Sequence, residues 1–187
     1  MESSADDTTV LIVDDEGAVA DAYTAQLRDE YETRTAYGGD QALEQIDGDV
    51  DVVLLDRRMP GRSGDEVLER VRERGLDCRV IMVTAVNPDF DIVDMPFEDY
   101  LQKPVGRETL TGAIEQQLQA SEYDERITKF IEITTKLRLL EQEKSPQELD
   151  GNKKVERLRN RSAELQAELD ETVLNFENSK DAFRDLL

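Results

Sequence analysis

The sequence predicts an open, doubly wound α/β fold with a five-stranded parallel sheet, followed by an α-helical hairpin or coiled coil. Three observations predict it. Short apolar runs rich in Val, Ile and Leu recur with helix-sized gaps between them, as strands buried on both faces of a parallel sheet do. Each run is closed by a polar group: Asp14-Asp15, Asp56, Thr84 or Lys103. Beyond about residue 119 the valine-rich runs stop and apolar residues recur at helical spacing instead.

In chain order, Val10-Leu11-Ile12-Val13 is the first strand, closed by Asp14-Asp15. An amphipathic helix over 18–29 and a strand over 31–36 follow, then a Gly38-Gly39 turn and a helix over 40–46. Val52-Val53-Leu54-Leu55 is the strand closed by Asp56, and a helix over 65–74 leads to Val80-Ile81-Met82-Val83, closed by Thr84-Ala85. Tyr100-Leu101 precedes Lys103-Pro104 as the fifth strand. Between Thr84 and Lys103 no convincing amphipathic helix fits. With Pro88 and Pro96 at its ends, the segment should form one or two helical turns or an irregular loop. In an open parallel sheet the C-terminal strand ends converge on one crevice. Three carboxylates (Asp14, Asp15, Asp56), the Thr84 hydroxyl and the Lys103 amine should therefore meet at one rim.

The order and content of these words resemble the receiver domain of two-component response regulators over residues 8–119, a flavodoxin-like fold. The resemblance implies that Asp56 is a phosphoacceptor, that Thr84 is a switch residue and catalytic partner, and that Tyr100 is the switch aromatic. It implies Mg²⁺ as cofactor, ligated directly by Asp15 and Asp56, through water by Asp14, and by the backbone carbonyl of Arg58. Lys103 would pair with a phosphoryl oxygen. Mg²⁺ is a hard cation that takes oxygen ligands and keeps several waters, and phosphoryl transfer asks the protein mainly for positioning and charge stabilisation. An acid cluster that only binds a cation is the plainer reading; a buried ammonium at Lys103 argues against it. No catalysis beyond self-phosphorylation and self-dephosphorylation at Asp56 is expected, so the chain is not read as an enzyme.

Residues 120–187 form the second expected domain. Tyr123, Ile127, Phe130, Ile131, Leu137 and Leu140 recur at helical spacing before Ser145-Pro146, and Val155, Leu158, Leu165, Leu169, Val173, Phe176, Phe183 and Leu187 after Gly151. The seven residues 145–151 read as the turn of an antiparallel hairpin. This tail resembles the HalX domain that follows receivers in haloarchaeal regulators. A two-helix hairpin has a thin core and gains from a partner, so homo-oligomerisation through these helices is expected. The stretch from Arg107 to Leu140 lacks proline. The last receiver helix should run into the first hairpin arm as a rod, with a break near Ser121 as the alternative.

Composition bounds the rest. The chain carries 44 acidic and 23 basic residues, a net charge of −21. Residues 1–119 hold 28 acidic and 11 basic residues, and residues 120–187 hold 16 and 12. Self-repulsion of that size is tolerated where salt screens it, so a cytoplasmic protein of a halophile with molar internal salt is expected. With no histidine and one cysteine, zinc sites, histidine-based catalysis and an internal disulfide are excluded. No 18-residue apolar stretch exists, and residues 1–7, acidic, read as a disordered tail rather than a secretion signal. Lys153, Lys154, Arg157, Arg159 and Arg161 form one basic cluster, a candidate polyanion contact. Phosphate contacts fade in salt and no helix-turn-helix pattern accompanies the cluster, so DNA is a partner not favoured over a solvated helix start facing acids. The expected partner is a sensor histidine kinase. Two functions stand open: a regulator whose hairpin is a phosphorylation-switched output, in transcription or otherwise, and a phosphorelay intermediate whose tail serves only dimerisation.

Overall fold

The strands found are β1 (Thr9–Val13), β2 (Glu32–Ala36), β3 (Val52–Leu55), β4 (Arg79–Thr84) and β5 (Asp99–Gln102), all parallel, in the order β2-β1-β3-β4-β5. A computed structural model describes residues 8–121 and 125–184, with side chains described to residue 118 and over 126–170. The helices between the strands are α1 (Gly17–Leu27), α2 (Gly39–Gln45) and α3 (Gly64–Glu73); α4 (Arg107–Ser121) follows β5. The expected five-stranded parallel sheet is thus present. The chain divides into two compact units: everything before Pro88 together with Asp94–Ser121, and Pro88–Val93 together with the residues after Ser121.

Why the strands form is visible in their burial. Every residue of β1 and β3 is buried, as an inner strand covered on both faces must be. Alternate residues Val10/Ile12, Val52/Leu54 and Ile81/Val83 share one core with Tyr23 and Leu27 of α1 and Leu110 and Ile114 of α4. That is the period-two rule; the intervening Leu11, Val53, Leu55 and Met82 are equally buried on the other face. A fully buried side chain of this size contributes about 1.5–3 kcal/mol. Edge strand β2, Glu-Thr-Arg-Thr-Ala, is only half-buried. Strand order reverses between β1 and β3, since β2 lies on one side of β1 and β3 on the other. This is the topological switch point at which open α/β sheets place their crevice.

Helix α3 begins with a capping box. The Ser63 hydroxyl accepts from the Glu66 N–H at 3.2 Å while Glu66 accepts from the Ser63 N–H at 2.9 Å. No full helix lies between β4 and β5; a 3₁₀ segment, Phe90–Asp94, takes that place, as the two flanking prolines suggest. Cys78 is buried and unpaired, and burial pushes its thiol up, so it packs as an apolar group.

The second unit contains α5 (Glu125–Glu143), α6 (Pro146–Leu149) and α7 (Lys153–Arg184). The connection expected as a plain turn holds the single helical turn α6. The same Ser-x-x-Glu box starts it, with Ser145 and Glu148 exchanging bonds and Pro146 at the first helical position. Gly151 then takes φ +78°, a conformation favouring glycine, before α7. Along α7, Val155 and Leu165 are buried and Leu158 and Leu169 half-buried, a three-four alternation. On α5 the most buried positions include Ile133, Lys136, Leu139 and Leu140; of the residues named from periodicity, Leu140 is fully buried and Ile127, Phe130, Ile131 and Leu137 only half. Tyr123, Val173, Phe176, Phe183 and Leu187 lie outside the described side chains, as does the residue 1–7 tail.

The expected rod cannot be traced through residues 122–124, which lie outside the described residues; α4 ends at Ser121 and α5 begins at Glu125. Limited proteolysis checks it. A rod resists cleavage between Gln119 and Asp124, and preferential cutting there with release of an intact N-terminal fragment would show a loose tether.

Candidate phosphoacceptor site

Asp14 and Asp15 follow β1, and Asp56 follows β3, on either side of nothing but their own strand pairing (Val13 pairs with Leu55). One carboxylate oxygen from each lies within 4.8 Å of the others. Asp14 is buried; one of its oxygens accepts from the Glu16 N–H at 2.9 Å and the other from the Lys103 ammonium at 2.5 Å. Asp56 is buried too: Oδ1 accepts from the Arg57 N–H at 2.7 Å, and Oδ2 faces Lys103 Nζ at 3.4 Å. Asp15 is half-exposed. Burial pulls the Lys103 ammonium down, but the Asp14 hydrogen bond and the charges of Asp56 and Asp14 outweigh it, so its pKa lies above the usual lysine value. It is therefore a cation throughout the physiological range.

Thr84 ends β4, 1% exposed. Its hydroxyl accepts from the Val86 N–H at 3.3 Å, its carbonyl from the Lys103 N–H at 2.9 Å. The buried Tyr100 donates its hydroxyl to the Val86 carbonyl at 2.7 Å and packs on Phe97, with ring centroids 5.6 Å apart. The Thr84 and Tyr100 positions are thus joined through one residue, Val86. An open cleft of about 540 Å³ is lined by Glu16, Asp56, Arg58, Thr84, Asn87 and Lys103.

Five sequence-predicted residues, Asp14, Asp15, Asp56, Thr84 and Lys103, come together as expected, and Arg58 lines the same cleft. Each acidic oxygen set is of the hard type that a Mg²⁺ ion takes, so the residues present fit that ion. The basic cluster belongs to the start of α7. Arg159 meets Asp150 at 3.5 Å and Glu141 of α5 at 4.0 Å, while Arg161 pairs along its own helix with Glu164 and Glu168 at 3.1 and 3.6 Å. Part of its charge is thus already neutralised within the hairpin.

Sequence reasoning missed Gly64. Its N–H donates to the Arg57 carbonyl at 2.8 Å, and a Cβ there would lie 2.0 Å from the Asp56 carbonyl oxygen. Only glycine lets α3 start against the strand that carries the acceptor. The signal lay in Pro60-Gly61-Arg62-Ser63-Gly64, a glycine inside a capping box, where ordinary helix starts carry any residue. Gly64→Ala should cost about 1–3 kcal/mol as an overpacking change and slow phosphoryl labelling. Gly48→Ala, with open space around it, should change neither. Thermal midpoints in molar KCl check the pair, and equal midpoints for both variants would refute the clash.

Residues 10–115 match the response regulator receiver domain family, and residues 119–187 match the HalX domain. The chain belongs to the response regulator receiver family. A Haloferax volcanii protein named a transcriptional regulator is 41% identical over 181 residues, which is 96% of this chain but 31% of that protein. The transcriptional regulatory protein DltR of Streptococcus agalactiae is 42% identical over 110 residues, 56% of this chain and 49% of that one. The chain thus spans half or less of the length of these relatives. Among solved structures, a receiver domain protein from Methanospirillum hungatei superposes with TM-score 0.57 at 26% identity, covering 62% of this chain and 96% of that one. Thermotoga maritima TrrA, determined in complex with Mg(2+)-BeF, gives TM-score 0.53 at 30% identity over 59% of this chain and 98% of TrrA. Among the described residues no helix is long and apolar enough to cross a membrane.

Proposed function

We propose that this receiver is the phosphorylation switch of a response regulator. Asp56 accepts a phosphoryl group from a sensor histidine kinase with Mg²⁺, and the HalX hairpin carries the output. The observation that supports this best is Lys103, an ammonium set between Asp14 and Asp56, where a mere cation site has no use for a positive charge. A carboxylate oxygen of Asp56 attacks phosphorus as the phosphorus–nitrogen bond of the donor phosphohistidine breaks, and the imidazole leaves with a proton. Lys103 holds one equatorial phosphoryl oxygen and the Thr84 hydroxyl another, which spreads the developing charge. Bound Mg²⁺ would neutralise the crowded acids and the incoming phosphoryl group. Asp15, Asp56 and the Arg58 carbonyl are its direct ligands in this reading. Asp14 acts through water, in keeping with both its oxygens already holding donors.

The names of the relatives support transcriptional regulation as the setting. Self-association through α7 is supported by length. At about 1.5 Å per residue, α7 outruns α5 by about 20 Å, and Val173 and Phe176 continue the apolar spacing in the overhang. The acidic excess supports a cytoplasm of molar salt.

Acetyl phosphate labelling of the full chain tests the proposal, and it should require Mg²⁺. Asp15→Ala should lose most Mg²⁺ affinity, at least about tenfold, because it removes a direct ligand, and labelling should fall with it. Calorimetric titration of Mg²⁺ into the wild type and the variant gives the affinities. Equal affinities would overturn the ligand assignment, and labelling unaffected by chelator would overturn the metal's role. If a beryllofluoride-loaded protein captures no new protein or DNA target yet dimerises as the free one does, the phosphorelay-intermediate reading replaces the output reading.

A further inference from the structure

The connector from Ala85 to Glu98 is anchored differently at its ends and at its middle. At its start, Val86 is tied to Thr84 and Tyr100 (3.3 and 2.7 Å), and the Gln102 side-chain amide bonds the Asn87 side chain. At its end, Arg72 donates to the Pro96 carbonyl at 3.0 Å and to both Glu98 oxygens at 2.8 and 2.7 Å, and Glu98 also accepts from the Val80 N–H at 2.6 Å. Arg72 Nη2 alone bridges both carboxylate oxygens in a charge-assisted pair, while Nε holds the Pro96 carbonyl. Both ends therefore belong to the sheet.

The middle, Pro88–Val93, belongs to the hairpin's unit. Lys144, at the end of α5, pairs with Asp89 at 3.0 Å, and its ammonium lies 5.2 Å from the Phe90 ring centroid. Lys136, about two turns earlier on α5, is 3% exposed. Its ammonium donates to the Val93 carbonyl at 3.2 Å and to Glu132 at 2.8 Å. Burial alone would raise the Glu132 carboxyl, yet the Lys136 charge and the hydrogen bonds of Lys129 and Lys136 hold it below the usual range. The Val93 carbonyl lies in the last turn of the 3₁₀ segment Phe90–Asp94, where a cation is favoured. A buried ammonium that loses one of its partners is strongly destabilised, so the connector cannot leave Lys136 without cost to the hairpin.

We infer that Pro88–Val93 is a clamp point: Lys136 and Lys144 of the hairpin grip the connector whose start is fixed to Thr84, so events at Asp56 and the state of the hairpin are linked through this segment. The inference rests on the phosphoacceptor reading for its trigger. A Thr84 hydroxyl drawn toward new negative charge at Asp56 either carries Val86 with it or gives up the Val86 N–H. Either change strains a connector whose far end Arg72 and Glu98 hold still, and the hairpin's two lysines take up the difference. Coupling of this kind is reciprocal, so weakening the grip also changes how readily Asp56 is occupied.

Hydrogen exchange of the full chain in molar KCl, read by mass spectrometry, tests it. Beryllofluoride with Mg²⁺ serves as the phosphoryl probe, and acetyl phosphate labelling of Asp56 is measured separately. In the wild type, loading should change exchange both over 86–98 and over 130–144. Lys144→Ala, at a half-buried side chain, should still take label at Asp56, with its rate or extent shifted as reciprocity requires, and should keep the connector's response while reducing the hairpin's response at least about threefold. A hairpin that ignores loading while the connector responds overturns the inference, as does a hairpin response that survives both Lys136→Met and Lys144→Ala. If Asp56 takes no label, the functional reading fails instead. The grip is then read without any probe: Lys136→Met should speed exchange over 88–98 about tenfold, and unchanged exchange there overturns the clamp.

Discussion

Asp56→Asn should abolish labelling by acetyl phosphate, with residual signal at least about a hundredfold below wild type, while the protein stays folded. The amide is nearly isosteric with the carboxylate but is neutral and a poor nucleophile, so the group that forms the new oxygen–phosphorus bond is gone. The Asn oxygen can keep the bond from the Arg57 N–H (2.7 Å in the wild type), leaving the NH₂ toward Lys103, where a carboxylate oxygen lay at 3.4 Å. Lys103 keeps its stronger partner, Asp14, at 2.5 Å. Three carboxylates sharing one site repel one another, and the substitution removes one of them. Without Mg²⁺ the variant should therefore melt no lower than wild type, and it should lose the extra stability that Mg²⁺ confers on the wild type by binding the native state. Labelling retained at wild-type stoichiometry would move the acceptor elsewhere; a melting point lowered by many degrees would mean Asp56 is a structural partner of Lys103 first.

That separation of roles reflects what could be read from the chain. The five strands and the groups at their ends were legible because a parallel sheet buries both faces of its inner strands, which leaves short continuous apolar runs, and because function sits where those runs stop. Asp14, Asp56, Thr84 and Lys103 needed nothing more than that rule and the family resemblance. Distances across the fold were not legible. Lys103 and Asp14 are 89 positions apart, and no local pattern says that one caps the other. Gly64 was missed because its constraint is the Asp56 carbonyl, a backbone atom eight residues away that periodicity does not register. The two Ser-x-x-Glu boxes at Ser63 and Ser145 are local signals that the sequence reading passed over, and the second marks α6 inside a segment that glycine and proline make look like a bare turn.

Lys136 is the deeper case. In Thr134-Thr135-Lys136-Leu137 it reads as an exposed helix position, since lysine is rarely fully buried. Its burial depends on Glu132 one turn back and on the Val93 carbonyl 43 residues away, and only the second of these is tertiary. The charge pattern hid a core position, and for the same reason the periodicity reading of α5 missed Ile133 and Leu139 beside it. Where a helix's buried stripe includes a charge, apolar spacing alone mislocates the stripe.

The second large effect expected is that of salt on stability. Lowering KCl from about 1 M to about 10 mM lengthens the Debye screening distance from roughly 3 Å to roughly 30 Å, comparable with the diameter of a domain of about 110 residues. Charges at opposite sides of the molecule, screened from one another in molar salt, then all repel. The excess is uneven: residues 1–119 carry 28 acids against 11 bases, and four of those acids are gathered at Asp14, Asp15, Glu16 and Asp56 around a single lysine. For a net charge of −21, simple Coulomb arithmetic in water makes the loss on compaction on the order of 10 kcal/mol. The whole stability of a domain is only about 5–15 kcal/mol. The unfolded chain expands and escapes most of that repulsion, so the folded state bears it. Local ion pairs such as Arg72–Glu98 and Arg57–Asp65 gain a little at low salt, by about 0–1 kcal/mol each where exposed, too little to reverse the sign. The thermal midpoint, followed by far-ultraviolet circular dichroism, should therefore fall steeply as KCl is lowered, by more than about 15 °C, or the protein should be unfolded outright at 10 mM. Mg²⁺ at millimolar concentration should restore part of the loss in the wild type and less in Asp15→Ala, since only that portion comes from the acid cluster. A midpoint independent of KCl across this range would refute adaptation to molar salt and leave the acidic composition without a stability role.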